Sequence, residues 1–226
     1  MAIKENENIK DFTLKNQNDE EISLTDFEEK KVLLSFHPLA WTSVCTKQMK
    51  ELEENYEVFK ENNTIPLGLS VDPQPSKKAW AEDMGLENLD ILSDFWPHGD
   101  LSKELDIFIE KLGFSGRVNI LLDESGKVIW VKEYEIGQLP DIDEVLEAVL
   151  LRTYKDVTHE DALVKDIDYY VDYIVNRSFA SHILKNGVYN TNNWDDDKPI
   201  TKGKAVRYWN KNHIDTLADY KAVNFG

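Results

Sequence analysis

Cysteine occurs once in the 226 residues, at position 45. A lone thiol cannot close an internal disulfide, which suits a reducing compartment, and it excludes both disulfide scaffolds and multi-cysteine metal sites. Arginine is nearly as scarce: residues 1 to 150 hold a single one, Arg117, beside fourteen lysines. Positive charge is short overall, with 26 basic against 43 acidic side chains and a net charge of −17. An acidic surface of this size argues against nucleic acid or an anionic membrane as partner and leaves a small neutral substrate unrepelled. Long apolar runs are missing too. The opening "MAIKENENIKDF" lacks the apolar stretch of a secretory signal, and no run is long enough to span a bilayer. The expectation is a cytoplasmic protein.

The 41% of apolar residues can supply a sizeable globular core. Charge is distributed unevenly: residues 1 to 150 carry 15 basic and 32 acidic side chains, residues 151 to 226 carry 11 of each. That shift suggests a first domain over residues 1–152 and a C-terminal extension over 153–226. From Thr158 the extension reads as one long amphipathic helix ending at Gly187, with Leu163, Ile167, Tyr170, Ile174 and Val175 as its apolar stripe. The tail beyond it is rich in Asn and aromatics and has no clear period. A docking or oligomer-forming module is the role expected of it.

In the first domain, short β-like pieces at 11–14 and 21–24 precede "KVLLSFH", a buried strand bounded by Pro38. The period then changes. Cys45, Met49, Leu52, Tyr56 and Phe59 recur at helical spacing, which puts the cysteine on the inner side of a helix start. "TIPLGLSVD" reads as the next strand, followed by a short helix with Ser76 as N-cap and Gly85 as terminator. A short strand at 90–95 and a helical turn or two from Leu101 lead to "RVNILLDESGKVIWVKEY", a hairpin with its turn at Asp123 to Gly126. A helix from Asp141 closes the unit. This α/β order, with a mixed sheet flanked by helices, matches a thioredoxin-like fold with a smaller, mainly helical extension.

A helix N-terminus favours a thiolate through its unpaired N–H groups and positive dipole end. The shift matters, because a thiol of pKa ~8.5 is only about 3% ionised at neutral pH, whereas one near ~6 would be roughly 90% thiolate. Guanidinium stays charged when partly buried and presents a planar fork, so Arg117 is suited to hold both a thiolate and an oxygen-bearing substrate. Pro38 has no N–H to compete for the thiolate, and Thr42 offers a hydroxyl three residues before the sulfur. Taken singly, each has a plain alternative: Cys45 as a small buried hydrophobe, Arg117 as a surface charge. His37 reads as a structural or surface residue and His98 as a turn residue. His159, His182 and His213 lack metal-ligand spacing, and Asp195 to Asp197 read as a solvated loop.

Together, Pro38-Leu-Ala-Trp-Thr42-Ser-Val-Cys45 resembles the PxxxTxxC active-site loop of the peroxiredoxins, and "GRVNILLDESGKVIW" resembles the family's arginine-bearing strand at Arg117. The resemblance covers about residues 5 to 152. It implies a peroxidase in which the Cys45 thiolate attacks the O–O bond and becomes a sulfenic acid, Thr42 and Arg117 hold the peroxide oxygens, and Pro38 shields the sulfenate. No metal or organic cofactor is implied. Two departures are evident. Trp41 stands where the family commonly has phenylalanine, and Lys50 stands where some relatives carry a resolving cysteine. A 1-Cys enzyme recycled by an external thiol, a thioredoxin-like protein or a low-molecular-weight thiol, is implied, and a homo-oligomer is expected. Two competing readings are a disulfide reductase, disfavoured because positions 42 and 48 are Thr and Gln rather than a second cysteine, and a non-catalytic partner-binding or redox-sensing protein on the same fold.

Overall fold

The structure, a computed structural model, describes residues 3–158, with side chains as far as residue 150. The expected helix from Thr158 to Gly187, the tail, three of the histidines and the Asp195 to Asp197 triplet lie outside the described residues.

Strand β3 (Lys31–Phe36) is buried along its whole length. Its alternation explains why an unbroken apolar run is needed there: Leu33 packs under helices on one face of the sheet, while Val32, Leu34 and Phe36 pack on the other. Parallel to it runs β4 (Thr64–Ser70), and parallel to that β5 (Asp90–Ser93). On the other side of β3, β8 (Arg117–Leu122) and β9 (Val128–Tyr134) add an antiparallel hairpin. β1 (Thr13–Lys15) and β2 (Glu21–Ser23) complete a mixed seven-stranded sheet in the order β2-β1-β5-β4-β3-β8-β9. β6 (Phe108–Ile109) and β7 (Phe114–Ser115) form a separate two-stranded ribbon. The hairpin turn falls where the sequence predicts it: Asp123 Oδ1 accepts the N–H groups of Ser125 and Lys127, and Gly126 takes the positive φ of 78° that the turn requires.

One face of the sheet is covered by α1 (Ser43–Glu54), α2 (Tyr56–Glu61), α3 (Gln74–Met84) and the first turns of α5 (Ile142–Thr158). The short α4 (Asp100–Glu104) packs on the opposite face. Cys45, Met49, Leu52 and Phe59 are buried as their spacing predicts. The helix that carries them is broken, however: Asn55 ends α1 by returning its side-chain and backbone N–H groups to the Glu51 carbonyl, and Tyr56 begins a second helix only half-buried.

The expected N-cap of α3 is corrected. The helix starts at Gln74, not after Ser76, because Pro75 sits in the first turn, where a missing N–H costs nothing. Gly85 ends it in the left-handed conformation, as predicted. α5 runs on through the position expected as the domain boundary. Among the described residues no helix is long and apolar enough to cross a membrane.

Candidate active site

Cys45 is the third residue of α1, fully buried, one turn before Met49 in the core. Thr42 is the N-cap but makes no side-chain capping bond, so the N–H groups of the first turn have no intrahelical partner ahead of Thr46, whose N–H reaches the Thr42 carbonyl. The thiol therefore lies in the positive field of those donors.

Arg117 opens β8, and sheet parity decides where it points. Arg117, Asn119 and Leu121 share the face covered by α1, and Ser35 on β3 pairs directly with Asn119. The guanidinium, 2% exposed, donates from Nη2 to Cys45 Sγ at 3.4 Å and from Nη1 to Gln48 Oε1. Nε and Nη2 also donate to the Ile136 carbonyl, at 3.1 and 2.8 Å. Its described hydrogen-bond acceptors are the Cys45 sulfur, a side-chain amide and a backbone carbonyl.

Gln48 in turn donates to Ser35 Oγ at 2.8 Å, and Ser35 Oγ donates to Asn119 Oδ1 at 2.7 Å. An unsatisfied polar group in this core would cost about 1–3 kcal/mol, whereas this row satisfies itself and ends on Arg117. Gln48, Ser35 and Asn119 are buried. Sequence reasoning did not single them out as site residues. Strand parity for Ser35 and Asn119, and the i+3 spacing from Cys45 for Gln48, were the available signals.

The loop between β3 and α1 is held from the side of α3. Ala40 N–H donates to Asp72 Oδ2 at 2.8 Å, and Trp41 Nε1 donates to Ser76 Oγ at 3.1 Å. Trp41 has φ of 66°, a costly conformation for a bulky side chain, and these two bonds oppose its relaxation. Its ring is 53% exposed and turned toward Ser76. Thr42 is exposed, and its hydroxyl donates to the Leu39 carbonyl at 3.0 Å; it makes no described bond to Cys45. Pro38 is buried at the base of the loop. Of the four expected site residues, then, Cys45 and Arg117 are in direct contact, while Thr42 and Pro38 flank them on the loop.

Two further titratable groups are buried nearby. His37 is fully buried, its ring 5.2 Å from that of Trp80, and neither ring nitrogen makes a hydrogen bond of ordinary geometry. Burial first, then the charges of Lys77 and Arg117, hold it well below the usual histidine range, with the Ser35 backbone pulling weakly the other way. Its burial rules out the expected surface alternative. Lys77 is buried as well, and burial pushes it down to about 7 against the opposing pull of Asp72, Asp94 and Cys45. Among the described residues no group of three or more His, Cys, Asp or Glu is disposed to hold a metal.

This arrangement has relatives. Alkyl hydroperoxide reductase E of Mycobacterium tuberculosis is 35% identical over 132 residues, covering 58% of this chain and 86% of that protein. A thiol peroxidase of Streptococcus agalactiae is 33% identical over 134 residues, covering 59% of this chain and 79% of its own length. In fold, the chain is similar to the AhpC of Enterococcus faecalis (TM-score 0.66, 20% identity, 72% of this chain and 99% of that one) and to the reduced 2-Cys peroxiredoxin of Plasmodium vivax (TM-score 0.63, 24% identity, 71% and 89%). The AhpC/TSA family profile matches residues 6–131, which include the Cys45 loop and the Arg117 strand. On that match, which spans more than half of its length, this chain belongs to the AhpC/TSA family, the peroxiredoxins.

Proposed function

We propose that the chain is a thiol peroxidase that reduces hydrogen peroxide or organic hydroperoxides with Cys45 as the attacking group and an external thiol as reductant. The observation that carries this reading is the buried contact of Arg117 Nη2 with Cys45 Sγ at 3.4 Å, at the start of a helix. The thiolate sulfur attacks one peroxide oxygen, the S–O bond forms as the O–O bond breaks, and the departing alkoxide or hydroxide leaves as alcohol or water after taking a proton. Guanidinium offers five N–H donors, of which four are engaged by Cys45, Gln48 and Ile136. One Nη1–H is left for a peroxide oxygen, where it stabilises developing charge. Thr42, three residues before Cys45, is the second donor this reading assigns, and its hydroxyl must exchange the Leu39 carbonyl for substrate. Pro38 closes the base of the loop without a competing N–H.

With one cysteine, the sulfenic acid on Cys45 condenses with an external thiol, releasing water and leaving a mixed disulfide that a second thiol reduces. The lone thiol needs a reducing compartment to remain available, and the cytoplasm is the proposed location. A homo-oligomer assembled or docked through residues 153–226 is proposed on the strength of the apolar stripe in that segment's sequence. The test is peroxide consumption with a supplied thiol: Cys45→Ser is expected to lose turnover altogether while keeping the folded far-UV and near-UV spectra. Retention of most activity by that variant would remove Cys45 from the reaction.

A further inference from the structure

An ammonium taken out of water is seldom found without a purpose, because its lost hydration must be recovered from its neighbours. Lys77 is fully buried in α3, one turn before Trp80. Its Nζ donates to Ser70 Oγ at 2.7 Å, Ser70 Oγ donates to Asp72 Oδ2 at 2.7 Å, and the same carboxylate oxygen accepts the Ala40 N–H at 2.8 Å. Three hydrogen bonds thus run from a buried cation to the backbone of the loop that precedes Cys45. Two more contacts tie α3 to that segment: Trp41 Nε1 to Ser76 Oγ, and Trp80 Nε1 to Thr46 Oγ1 at 3.3 Å, on the residue after the cysteine.

We propose that Lys77 is a positioning residue for the Cys45 reaction: through Ser70 and Asp72 it fixes the loop between Pro38 and Thr42, and its buried ammonium adds to the positive charge of Arg117 around the thiolate. The proposal rests on the reading of Cys45 as the reacting thiol. The charged and titratable groups acting on Lys77 come from each element around it. Asp72 before α3, Asp94 after β5 and Cys45 in α1 favour its charged form, and burial opposes them. His37, at the end of β3, is disfavoured from charging by Lys77 and by Arg117 of β8. Electrostatic coupling is reciprocal, so a Cys45 thiolate that favours the ammonium is favoured by it in equal measure. The ammonium loses its proton as pH rises through the neutral range, and Arg117 then remains as the buried cation beside the sulfur.

The full-length protein and its Lys77→Met variant, both reduced, are alkylated with iodoacetamide between about pH 5 and about pH 9, and the rate at Cys45 is read by mass. The variant is expected to react about tenfold more slowly at the acid end, where the ammonium is charged, and the deficit is expected to shrink toward the alkaline end, where only the Ser70 bond is lost. A deficit of the same size at both ends means that Lys77 is only a structural support, and no deficit at the acid end means that its charge does not reach the sulfur. Either result overturns the proposal. If Lys77→Met does not fold, NMR titration of ¹³Cε-labelled lysine in the parent and in Cys45→Ser answers the same question: Lys77 should titrate at lower pH once the thiol is gone, and equal midpoints overturn the coupling. The Cys45→Ser peroxide assay is separate, since retained turnover there would overturn the site assignment and leave the Lys77 titration as measured.

Discussion

At the scale of single residues, two buried cations have different tasks because their chemistry differs. Arg117 keeps its charge at any working pH and holds three acceptors through a rigid fork, whereas Lys77 changes charge near neutrality. Arg117→Lys leaves Gln48 Oε1 and the Ile136 carbonyl short of donors and presents only a point charge to the sulfur. Its peroxidase rate should fall by about a hundredfold, the usual scale for losing one preorganised donor at a developing anion. The midpoint of Cys45 alkylation against pH should move upward, and identical titration of the two proteins would place Arg117 outside the site. Lys77 carries a stability cost whose sign follows from its lowered value: between about 7 and 10.5 the unfolded chain binds a proton that the folded one does not. Stability from this group therefore rises with pH across that interval. Lys77→Met should gain about 3 kcal/mol in urea unfolding near pH 7, with the gain shrinking toward pH ~10. A loss of stability at every pH would mean that the Ser70 bond outweighs the cost of burial.

At the scale of elements, the site depends on how closely α1 lies on the sheet. Gly68 in β4 makes this approach possible: a Cβ there would sit 2.5 Å from Met49 Sδ and 2.9 Å from Ile91 Cγ2. Gly68→Ala should cost about 1–3 kcal/mol in chemical unfolding and slow the peroxidase, because Met49 and Cys45 ride on the same helix. Unchanged stability would mean that Met49 repacks without moving α1. The elements legible in the sequence are those with local signals: the apolar run of β3, the three- and four-residue spacing of α1, and the Asp123 to Gly126 turn that joins β8 to β9. Cys45 and Arg117 were legible because each is the single residue of its type in residues 1 to 150. The row from Arg117 through Gln48 and Ser35 to Asn119 was not, since it joins residues up to 84 positions apart and exists only once α1 is seated on β3 and β8. Lys77 was hidden for the same reason. In "PSKKAW" it looks like its solvated neighbour Lys78, and only the packing of α3 separates a buried lysine from an exposed one.

At the scale of the whole molecule, one cysteine leaves the proposed sulfenate with no second thiol in the same sequence to condense with. The segment from 153 to 226 bears an expected role in assembly, and a chain cut after Thr158, which spares α5, should change its mass in solution by more than the residues lost. Equal oligomeric states before and after the cut, with equal peroxidase rates, would remove that role. Cys45 is fully buried, so the thiol that resolves its sulfenate gains access only when the first turn of α1 opens. The central claim is that peroxide oxygen is transferred to this sulfur and then removed by an external thiol. Intact-mass and peptide mass measurement after one equivalent of hydrogen peroxide tests it most directly. The expected sequence is one oxygen added at Cys45, then an adduct of the supplied thiol at the same residue, then the starting mass. Oxygen found elsewhere, or a Cys45-to-Cys45 dimer as the main species reduced at a catalytically competent rate, would contradict the account.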